Sequence, residues 1–317
     1  MSLIGAASGA ALAELISQRK TVAAKLLPVA AMALIWLAGL GLQSIHWTQA
    51  ADKPLTLTLV QPALTPSQKW NQDLLYDILV QLRDLSSGRW HNDLMIWPES
   101  AIPAPRQDVE PFIDYMEQVA KESRALFITG IPIYEDERYY NGVILLGNGE
   151  GSYRKRHLVP FGEYLPLDSV LRGIIKFFSR PMSSFSAGPD DQPLLHVGDT
   201  AIATAICYEI VYQDLVSSTA KDADLILTLS NDVWFGDSSP PHQHLQMARL
   251  RAIENRKPVV RDTNDGITAV IDAQGRITHQ LPQFIPGTLE AEVLPHEGST
   301  PFNVLGSHPM PASALPT

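Results

Sequence analysis

The chain has 317 residues, and 45% of them are hydrophobic, which is enough to bury a substantial core in one large domain or two small ones. Its formal net charge of -10 argues against a nucleic-acid-binding surface, because phosphate recognition requires clustered Lys and Arg. The sequence has no such cluster beyond Arg154, Lys155 and Arg156. The single cysteine, Cys207, has no partner within the chain, so an internal disulfide bond is excluded.

The first 50 residues are predicted to be a membrane segment. Residues 26–51 contain no charged side chain. A helix that rises about 1.5 Å per residue needs about 20 apolar residues to cross the hydrocarbon core of a bilayer. The pattern predicts a transmembrane helix over about 26–47, with a partial apolar helix over 1–16 before it.

Basic residues indicate how this helix is oriented. Arg19, Lys20 and Lys25 precede it, and only Lys53 follows closely. The positive-inside rule therefore places residues 19–25 in the cytoplasm and the chain after residue 50 outside the inner membrane. A cleaved signal peptide, with its cleavage region at residues 48–50, is the alternative.

From residue 51 to residue 298, patterns typical of strands and of helices alternate. Period-two patterns and short apolar runs predict strands at 55–60, 94–97, 125–130, 143–146, 152–154, 201–207, 224–230, 258–261 and 267–271. Apolar residues at helical spacing predict helices at 68–85, 109–123, 212–220 and 243–255. This alternation favours an α/β layer structure whose loops at the strand ends carry the functional site. Residues 299–317 are rich in Pro, Ser and Ala and are predicted to be disordered.

Three side chains with useful chemistry follow predicted strands. Glu99, in WPES, is a carboxylate that an adjacent aromatic residue could turn into a proton acceptor and donor. Lys155, in YRKRHLVPFGEYLP, offers an ammonium that could stabilise an oxyanion and help to hold a thiol as its thiolate. Cys207, in AICYE, would be a nucleophile if its pKa falls below the free value of about 8.5. Taken one at a time, Glu99 fits a solvated loop residue better, Lys155 a solvated basic surface, and Cys207 a small core residue.

Together and in this order, Glu99, Lys155 and Cys207 resemble the catalytic residues of the nitrilase superfamily of carbon–nitrogen hydrolases. The segments WPESAIP, YRKRHLVPFGEYLP, AICYE and SNDVWFGDSSPPHQHLQMARLRAIENRKPVVRDTNDGITAVID resemble one branch of it, the apolipoprotein N-acyltransferases, across residues 55–295. The resemblance implies a nitrilase-like αββα sandwich over residues 51–298, preceded by the N-terminal transmembrane helix. It places this catalytic domain on the periplasmic side of the bacterial inner membrane.

The resemblance also implies an acyl transfer in two steps. Cys207 attacks the sn-1 ester carbonyl of a phospholipid and becomes a thioester, which the N-terminal amine of a diacylglyceryl apolipoprotein then attacks. Glu99 handles the protons, Lys155 stabilises the oxyanion, and Glu163 and Glu209 are supporting carboxylates. The expected partners are the phospholipid donor, the apolipoprotein acceptor and the membrane, and no nucleic acid, cofactor or metal is implied.

Further residues are assigned on weaker patterns. Trp234 and Phe235 follow the strand pattern LILTLS and are predicted, with Tyr164, to bind substrate; a core role for Trp234 and Phe235 is the alternative. His242 and His244 lack a third ligand for zinc, so capping and hydrogen bonding at the start of a helix are predicted instead.

Two segments of the resembling region have no settled role. Residues 165–185 combine apolar, aromatic and basic side chains, a pattern that fits a helix in the membrane interface or a core helix. Asp262 and Asp265, in RDTNDGITA, are acidic residues to which no function is assigned.

Two other functions stay open. A nitrilase-superfamily amidohydrolase acting on a small amide would use Cys207 without a membrane anchor. An inactive membrane-anchored lipid-binding fragment would keep the fold without turnover. Apolipoprotein N-acyltransferases carry a bundle of transmembrane helices before the catalytic domain and another helix after it, whereas this sequence offers one span and a partial one. A fragment or a natural short form is therefore expected.

Overall fold

The computed structural model describes residues 2–16, 21–164 and 185–307, and the chain divides into two compact units, Met1–Trp47 and Thr48–Thr317. The first unit contains two helices, α1 (Ser2–Ile16) and α2 (Val22–Gln43). They are joined by a hydrogen bond that Trp36 Nε1 donates to Ser8 Oγ over 3.1 Å. Apolar side chains of α2 remain exposed, among them Leu34 and Leu37.

The predicted transmembrane helix is not confirmed. A helix, α2, occupies most of the range 26–47. Among the residues that the structure describes, however, no helix meets the length and hydropathy that a membrane span requires. The segment 165–185, for which a helix in the membrane interface or in the core was considered, lies outside the described residues except for its last position.

Over its described residues, the second unit contains two six-stranded sheets and a separate two-stranded pair. Its strands are β1 (Thr48–Ala50), β2 (Leu55–Gln61), β3 (Leu94–Trp97), β4 (Leu126–Glu135), β5 (Arg138–Leu146), β6 (Gly151–Arg154), β7 (Leu195–Val197), β8 (Thr200–Ile206), β9 (Leu225–Ser230), β10 (Val259–Thr263), β11 (Ala269–Ile271), β12 (Ile277–Gln280), β13 (Gly287–Val293) and β14 (His296–Gly298). Its helices are α3 (Pro66–Lys69), α4 (Leu75–Ser86), α5 (Glu110–Ser123), α6 (Gln213–Ala220), α7 (Pro240–Asn255) and α8 (Pro301–Leu305).

Parallel strands lie near the centre of each sheet. The first sheet has the order β13-β2-β3-β4-β5-β6, and β2, β3 and β4 run parallel. The second sheet has the order β12-β11-β10-β9-β8-β7, and β8, β9 and β10 run parallel. Because the carboxyl ends of parallel strands meet at one edge of their sheet, the loops that follow these strands are gathered there.

Apolar side chains fill three layers between the sheets and the helices. The inner core joins the two sheets and includes Leu59, Ile96, Ile206 and Leu229. One outer core packs α4 and α5 on the first sheet, and the other packs α6 and α7 on the second. Strands that are buried on both faces have few polar positions, which explains their nearly continuous apolar sequences. This arrangement confirms the predicted αββα sandwich.

Most of the predicted elements are present, but several have different ends. The predicted helix at 68–85 is divided into α3 and α4, because Thr65 and Gln68 form a capping box that starts a separate short helix. The predicted strand at 125–130 continues to Glu135 as β4, where it pairs with β5. The predicted strands at 143–146 and 152–154 lie in β5 and β6, which pair antiparallel as a hairpin.

The prediction of a disordered tail over 299–317 is wrong for the first part of that range, which forms α8. Thr300 starts this helix in a capping box with Asn303. Asn303 Nδ2 donates hydrogen bonds to Asn255 Oδ1 over 2.5 Å and to Ser217 O over 3.3 Å. Buried polar contacts to α6 and α7 therefore order residues whose composition alone suggested disorder. Residues 308–317 lie outside the described part of the chain.

Candidate active site

Glu99 lies in the loop after β3, at the carboxyl edge of the first sheet. It is 7% exposed, and its Oε1 accepts a hydrogen bond from Asn141 Nδ2 over 2.8 Å. The loop turns sharply, with Ser100 at a φ of 45°. It can do so because Gly130 of β4 has no side chain: a Cβ there would lie 2.7 Å from Glu99 Cα. The main chain therefore fixes the position of this carboxylate.

Lys155, directly after β6, is held between two carboxylates. It is 1% exposed, and its Nζ lies 2.9 Å from Glu163 Oε1 and 3.6 Å from Glu99 Oε1. Asn141 Nδ2 donates to both carboxylates, over 2.8 Å to Glu99 and 2.7 Å to Glu163. Burial lowers the pKa of Lys155, but the charges of Glu99 and Glu163 outweigh it and raise the pKa above the ordinary value. The amine is therefore an ammonium at neutral pH. We call Glu99, Asn141, Lys155 and Glu163 the Lys155 cluster.

Cys207 follows the last residue of β8 and begins a tight turn, Cys207–Val211. Its φ of 51° lies in the left-handed region, which a residue with a side chain rarely adopts. Strained turns between a strand and the next element are a known means of presenting a nucleophile at a sheet edge. Cys207 is half-buried and packs against the inner core.

Glu209 connects this turn to the segment that carries Lys155. It is fully buried, and its Oε2 accepts a hydrogen bond from the Ile206 amide over 2.8 Å. Its Oε1 accepts a hydrogen bond from the Arg156 amide over 2.7 Å. One carboxylate thus joins the strand that leads to Cys207, in the second sheet, to a loop of the first sheet.

The pKa of the Cys207 thiol is raised well above its ordinary value. Burial is the largest cause, the charge of Glu99 adds to it, and the charge of Lys155 opposes it. The sequence makes a nucleophilic role of Cys207 depend on a pKa below the free value, and burial places the pKa above that value instead. The thiol is neutral at pH 7 and needs a base to become a nucleophile. Glu99 is the carboxylate whose charge acts on it most strongly.

A second group of buried charges lies on the second sheet, against the main chain of Cys207. His244 Nε2 lies 3.0 Å from Cys207 O, and His244 Nδ1 lies 3.1 Å from Asp232 Oδ1. Arg261 donates a hydrogen bond to Asp232 Oδ2 over 2.5 Å. Burial alone would raise the pKa of Asp232, but Arg261 and His244 outweigh it, so the pKa is lowered. We call Asp232, His244 and Arg261 the Arg261 cluster.

The two histidines of PPHQHLQ differ in their surroundings. His244 forms hydrogen bonds near the start of α7, as predicted, but no side chain caps that helix. His242 is exposed. In the part of the chain that the structure describes, no group of three or more His, Cys, Asp or Glu residues could hold a metal ion.

The residues predicted to bind substrate are exposed aromatics. Trp234 is 65% exposed, Phe235 45% and Tyr164 37%. The alternative core role for Trp234 and Phe235 is therefore wrong. Both follow β9, the neighbour of β8 in the second sheet, and the Phe235 amide donates to Asp232 O over 2.9 Å. They lie at the sheet edge where β8 delivers Cys207.

Sequence reasoning missed four buried polar residues of this region: Lys69, Asn141, Asp232 and Arg261. Arg261 and Asn141 each interrupt an apolar strand, PVVRDT and YYNGVILL, and that interruption could have indicated them. Lys69 left no such pattern, because a lysine in a mostly polar segment such as PSQKWNQD usually lies in solvent. Its Nζ donates a hydrogen bond to the main-chain oxygen of Glu99 over 2.8 Å.

An αββα sandwich with a buried Glu–Lys pair, and with a cysteine at a strained strand end, defines the class of this protein. Residues 56–298 match the carbon–nitrogen hydrolase family, and the chain belongs to that family.

Curated relatives indicate the branch of the family. The chain is 44% identical over 290 residues to the apolipoprotein N-acyltransferase of Pseudomonas putida, a match that covers 90% of this chain and 57% of that protein. It is also 44% identical over 272 residues to the apolipoprotein N-acyltransferase of Pseudomonas aeruginosa, covering 84% of this chain and 53% of that protein. The predicted resemblance is confirmed, and the chain spans little more than half the length of these relatives.

A solved structure shares the fold at low sequence identity. The carbon–nitrogen hydrolase from Helicobacter pylori G27 matches with a TM-score of 0.56 and 14% identity, over 76% of this chain and 89% of that one. At this identity the likeness concerns the fold alone.

Proposed function

We propose that this chain is the catalytic region of an apolipoprotein N-acyltransferase, which moves an acyl chain from a phospholipid to the N-terminal amine of a diacylglyceryl apolipoprotein. The observation that carries the proposal is the 44% identity to proteins of that name over 84% to 90% of the chain. Cys207 and the Lys155 cluster supply the groups that such a reaction needs: a nucleophile, a base and a fixed positive charge.

In the first step, the Cys207 thiol attacks the sn-1 ester carbonyl carbon of the phospholipid. Its proton passes to the Glu99 carboxylate as the S–C bond forms, because the raised pKa keeps the thiol neutral until then. Negative charge develops on the carbonyl oxygen, where the Lys155 ammonium stabilises it. When the ester C–O bond breaks, Glu99 returns the proton to the leaving oxygen, and a lysophospholipid departs. The acyl chain stays on Cys207 as a thioester.

In the second step, the neutral amine of the apolipoprotein attacks the thioester carbon. Glu99 takes one proton from the attacking nitrogen as the N–C bond forms, and Lys155 again stabilises the oxyanion. When the C–S bond breaks, Glu99 gives this proton to the sulfur. The products are an amide and the original thiol, so Glu99 and Cys207 return to their starting protonation states.

The remaining predicted residues have positioning and contact roles in this scheme. Glu163 holds the Lys155 ammonium in place, and Glu209 holds the turn of Cys207 against the Lys155 segment. Trp234, Phe235 and Tyr164 contact the apolar parts of the substrates, a role that their exposed aromatic rings suit.

The substrates of the proposed reaction lie in a membrane. We infer that the chain works on the periplasmic face of the bacterial inner membrane and is anchored through residues 26–47. The uncharged stretch 26–51, the basic residues at 19–25 and the exposed Leu34 and Leu37 of α2 support this inference.

Intact-protein mass measurement after incubation with phosphatidylethanolamine tests the proposal. One acyl increment should appear on the wild-type chain and disappear on treatment with hydroxylamine, which cleaves thioesters. Addition of a diacylglyceryl peptide with a free N-terminal amine should move the increment to the peptide. The Cys207→Ala variant should acquire no increment. An increment that persists in this variant, or that hydroxylamine does not remove, would contradict the proposed function.

The match to the carbon–nitrogen hydrolase family keeps one second candidate, an amidohydrolase that acts on a small amide. In that case Cys207 would form its thioester from the amide, and water would release the acid. Ammonia release from a series of short aliphatic amides distinguishes the two. Fast ammonia release with no acyl increment from phospholipid would favour the hydrolase.

A further inference from the structure

Lys69 is a buried lysine beside the candidate base, and none of the steps above uses it. It is the last residue of α3, after β2, and is 1% exposed. Its Nζ donates a hydrogen bond to Glu99 O over 2.8 Å. The two other N–H groups of the ammonium have no hydrogen-bond partner among the residues that the structure describes. Lysine is almost never fully buried without a paired charge, so this position requires an explanation.

The surrounding loops hold Lys69 in this place. Ala63 has a φ of 53°, and its amide donates to Asn264 O over 2.6 Å. Asn264 Nδ2 donates in turn to Leu64 O over 2.8 Å. The loop after β2 in the first sheet is thereby tied to the loop after β10 in the second. The capping box of Thr65 starts α3, and together with these bonds it positions the short helix that carries Lys69.

Two lysines thus follow strands that lie on either side of β3 in the order of the first sheet. Lys69 follows β2, and Lys155 follows β6, while Glu99 follows β3 between them. Glu99 and Cys207 act on the pKa of both lysines. Of the two lysines, only Lys155 is affected by the charge of Glu163 and only Lys69 by that of Asp265, so each lysine has a carboxylate of its own.

The two lysines nevertheless differ in charge compensation. Lys155 lies within 3.6 Å of two carboxylates, and its pKa is raised. Burial lowers the pKa of Lys69 to about 8, against the opposing charges of Glu99, Asp265 and Cys207. Lys69 is therefore mostly charged at neutral pH but loses its charge in mildly alkaline solution.

Charge counting shows what this second ammonium does. Glu99, Glu163 and Lys155 together carry one net negative charge, and removing the proton from Cys207 would add another. A thiolate at Cys207 would then lie in a buried site together with the Glu99 carboxylate. A charged Lys69 stabilises both groups, and Asp265, its own carboxylate, offsets part of that charge.

We propose that Lys69 is a positioning residue of this active site, which holds the main chain of Glu99 and places a second positive charge beside Glu99 and Cys207. The inference rests on the proposed function for the role of Cys207 as nucleophile. It adds to Lys155 a second lysine that acts on the base and on the thiol.

Alkylation of Cys207 by iodoacetamide tests this inference without any lipid. Cys207 is the only cysteine, so one mass increment on the intact 317-residue chain reports its reaction alone. The charges of Glu99, Lys155, Asp232 and Glu163 act on this thiol, and the thiol in turn acts on the pKa of Lys69. We expect Lys69→Met to slow alkylation about tenfold at pH 7.5 and to raise the apparent pKa of the thiol by about one unit, which is the same factor expressed as a shift.

Lys257→Met is the matched control. Lys257 is also 1% exposed, and its Nζ also donates to a main-chain oxygen, that of Ala223. The charges that act on Lys257 are those of Asp224, Asp222 and Glu297, whereas Cys207 is among those that act on Lys69. Its replacement should leave the alkylation rate within twofold of the wild type. A folded Lys69→Met variant that also reacts within twofold of the wild type would overturn the inference.

Asp265→Asn provides a second variant that keeps Lys69 in place. Asp265 raises the pKa of Lys69, so its loss should discharge part of the lysine at pH 7.5 and slow alkylation about threefold. If Asp265 acted on the thiol directly, removing its negative charge would speed the reaction instead. An unchanged or faster rate in this variant would therefore overturn the inference, even if Lys69→Met does not fold.

The outcomes for Lys69 and for the proposed function are separable. A wild-type chain that gains no acyl increment from phospholipid, but whose alkylation depends on Lys69 as described, would reject the acyltransferase and keep the inference. An acyl increment that forms equally fast in wild type and Lys69→Met, with equal alkylation rates, would keep the acyltransferase and overturn the inference about Lys69.

Discussion

The Lys155 cluster and the Arg261 cluster both bury charge next to Cys207, but they balance it differently. In the Lys155 cluster, one ammonium faces two carboxylates, so negative charge is in excess. In the Arg261 cluster, one guanidinium and one histidine face a single carboxylate, Asp232. Both clusters act on the pKa of the thiol, the first through Glu99, Lys155 and Glu163 and the second through Asp232. The second cluster also contacts the main-chain oxygen of Cys207.

This difference separates chemistry from positioning. A cluster with an excess of carboxylate can accept a proton during a reaction and stay electrostatically favourable. A cluster whose only carboxylate is matched by a guanidinium loses a buried ion pair if it takes up a proton. We therefore expect the Lys155 cluster to control the rate of thioester formation, and the Arg261 cluster to control mainly the stability of the turn at Cys207.

Lys155→Met should have the largest effect, because it removes the ammonium that both carboxylates contact. We expect thioester formation to slow about 10³-fold through loss of oxyanion stabilisation. The free energy of unfolding should fall by about 3–5 kcal/mol, since buried carboxylates lose their partner. Mass time courses and urea titrations measure the two quantities. Lys121→Met removes an exposed pair with Glu117 and serves as the control. Thioester formation within tenfold of the wild type would break the comparison.

Glu99→Gln should have the next largest effect and should separate proton transfer from electrostatics. The amide cannot accept the proton of the thiol, so thioester formation should slow about 10²-fold. The same change removes a negative charge that raises the pKa of Cys207, so alkylation by iodoacetamide at pH 7.5 should become faster. The two rates are measured on the same intact chain. If thioester formation does not slow, Glu99 is not acting as the base.

Asp232→Asn should affect stability more than rate. It leaves Arg261 without its carboxylate and weakens the position of His244 beside the Cys207 carbonyl. We expect the free energy of unfolding to fall by about 3 kcal/mol and thioester formation to slow only about tenfold through misplacement of the nucleophile. Asp237→Asn, an exposed carboxylate in the same loop, is the control. A rate loss as large as that of Lys155→Met would remove the distinction between the clusters.

An acid titration should give the smallest effect. Arg261 and His244 hold the pKa of Asp232 below its ordinary value. The stability that Asp232 contributes is therefore present above its unfolded-state pKa of about 3.9 and is lost as the pH falls through the lower folded-state value. The difference in urea midpoint between wild type and Asp232→Asn should stay constant from about pH 7 to pH 5 and shrink below about pH 4. If this difference in urea midpoint already shrinks at about pH 6, the pH dependence comes from a group other than Asp232.

The sequence predicted the layers of the second unit because strand and helix patterns are local properties. Period-two and continuous apolar runs indicated most strands, and the motifs around Glu99, Lys155 and Cys207 indicated the strand ends where these side chains lie. Boundaries were predicted less well where local capping intervened, as at Thr65, or where distant polar contacts order a segment, as Asn255 and Ser217 do for α8.

What the sequence by itself determined is the identity of the reactive groups and the strand ends from which they project. Only the tertiary structure decided which charges are buried together, that Lys69 reaches the main chain of Glu99, and that the thiol of Cys207 is neutral at rest. The physical reason is that a pKa depends on desolvation and on charges brought close in space. The residues that act on Cys207 come from loops far apart in the chain, and no local pattern records the distance between them.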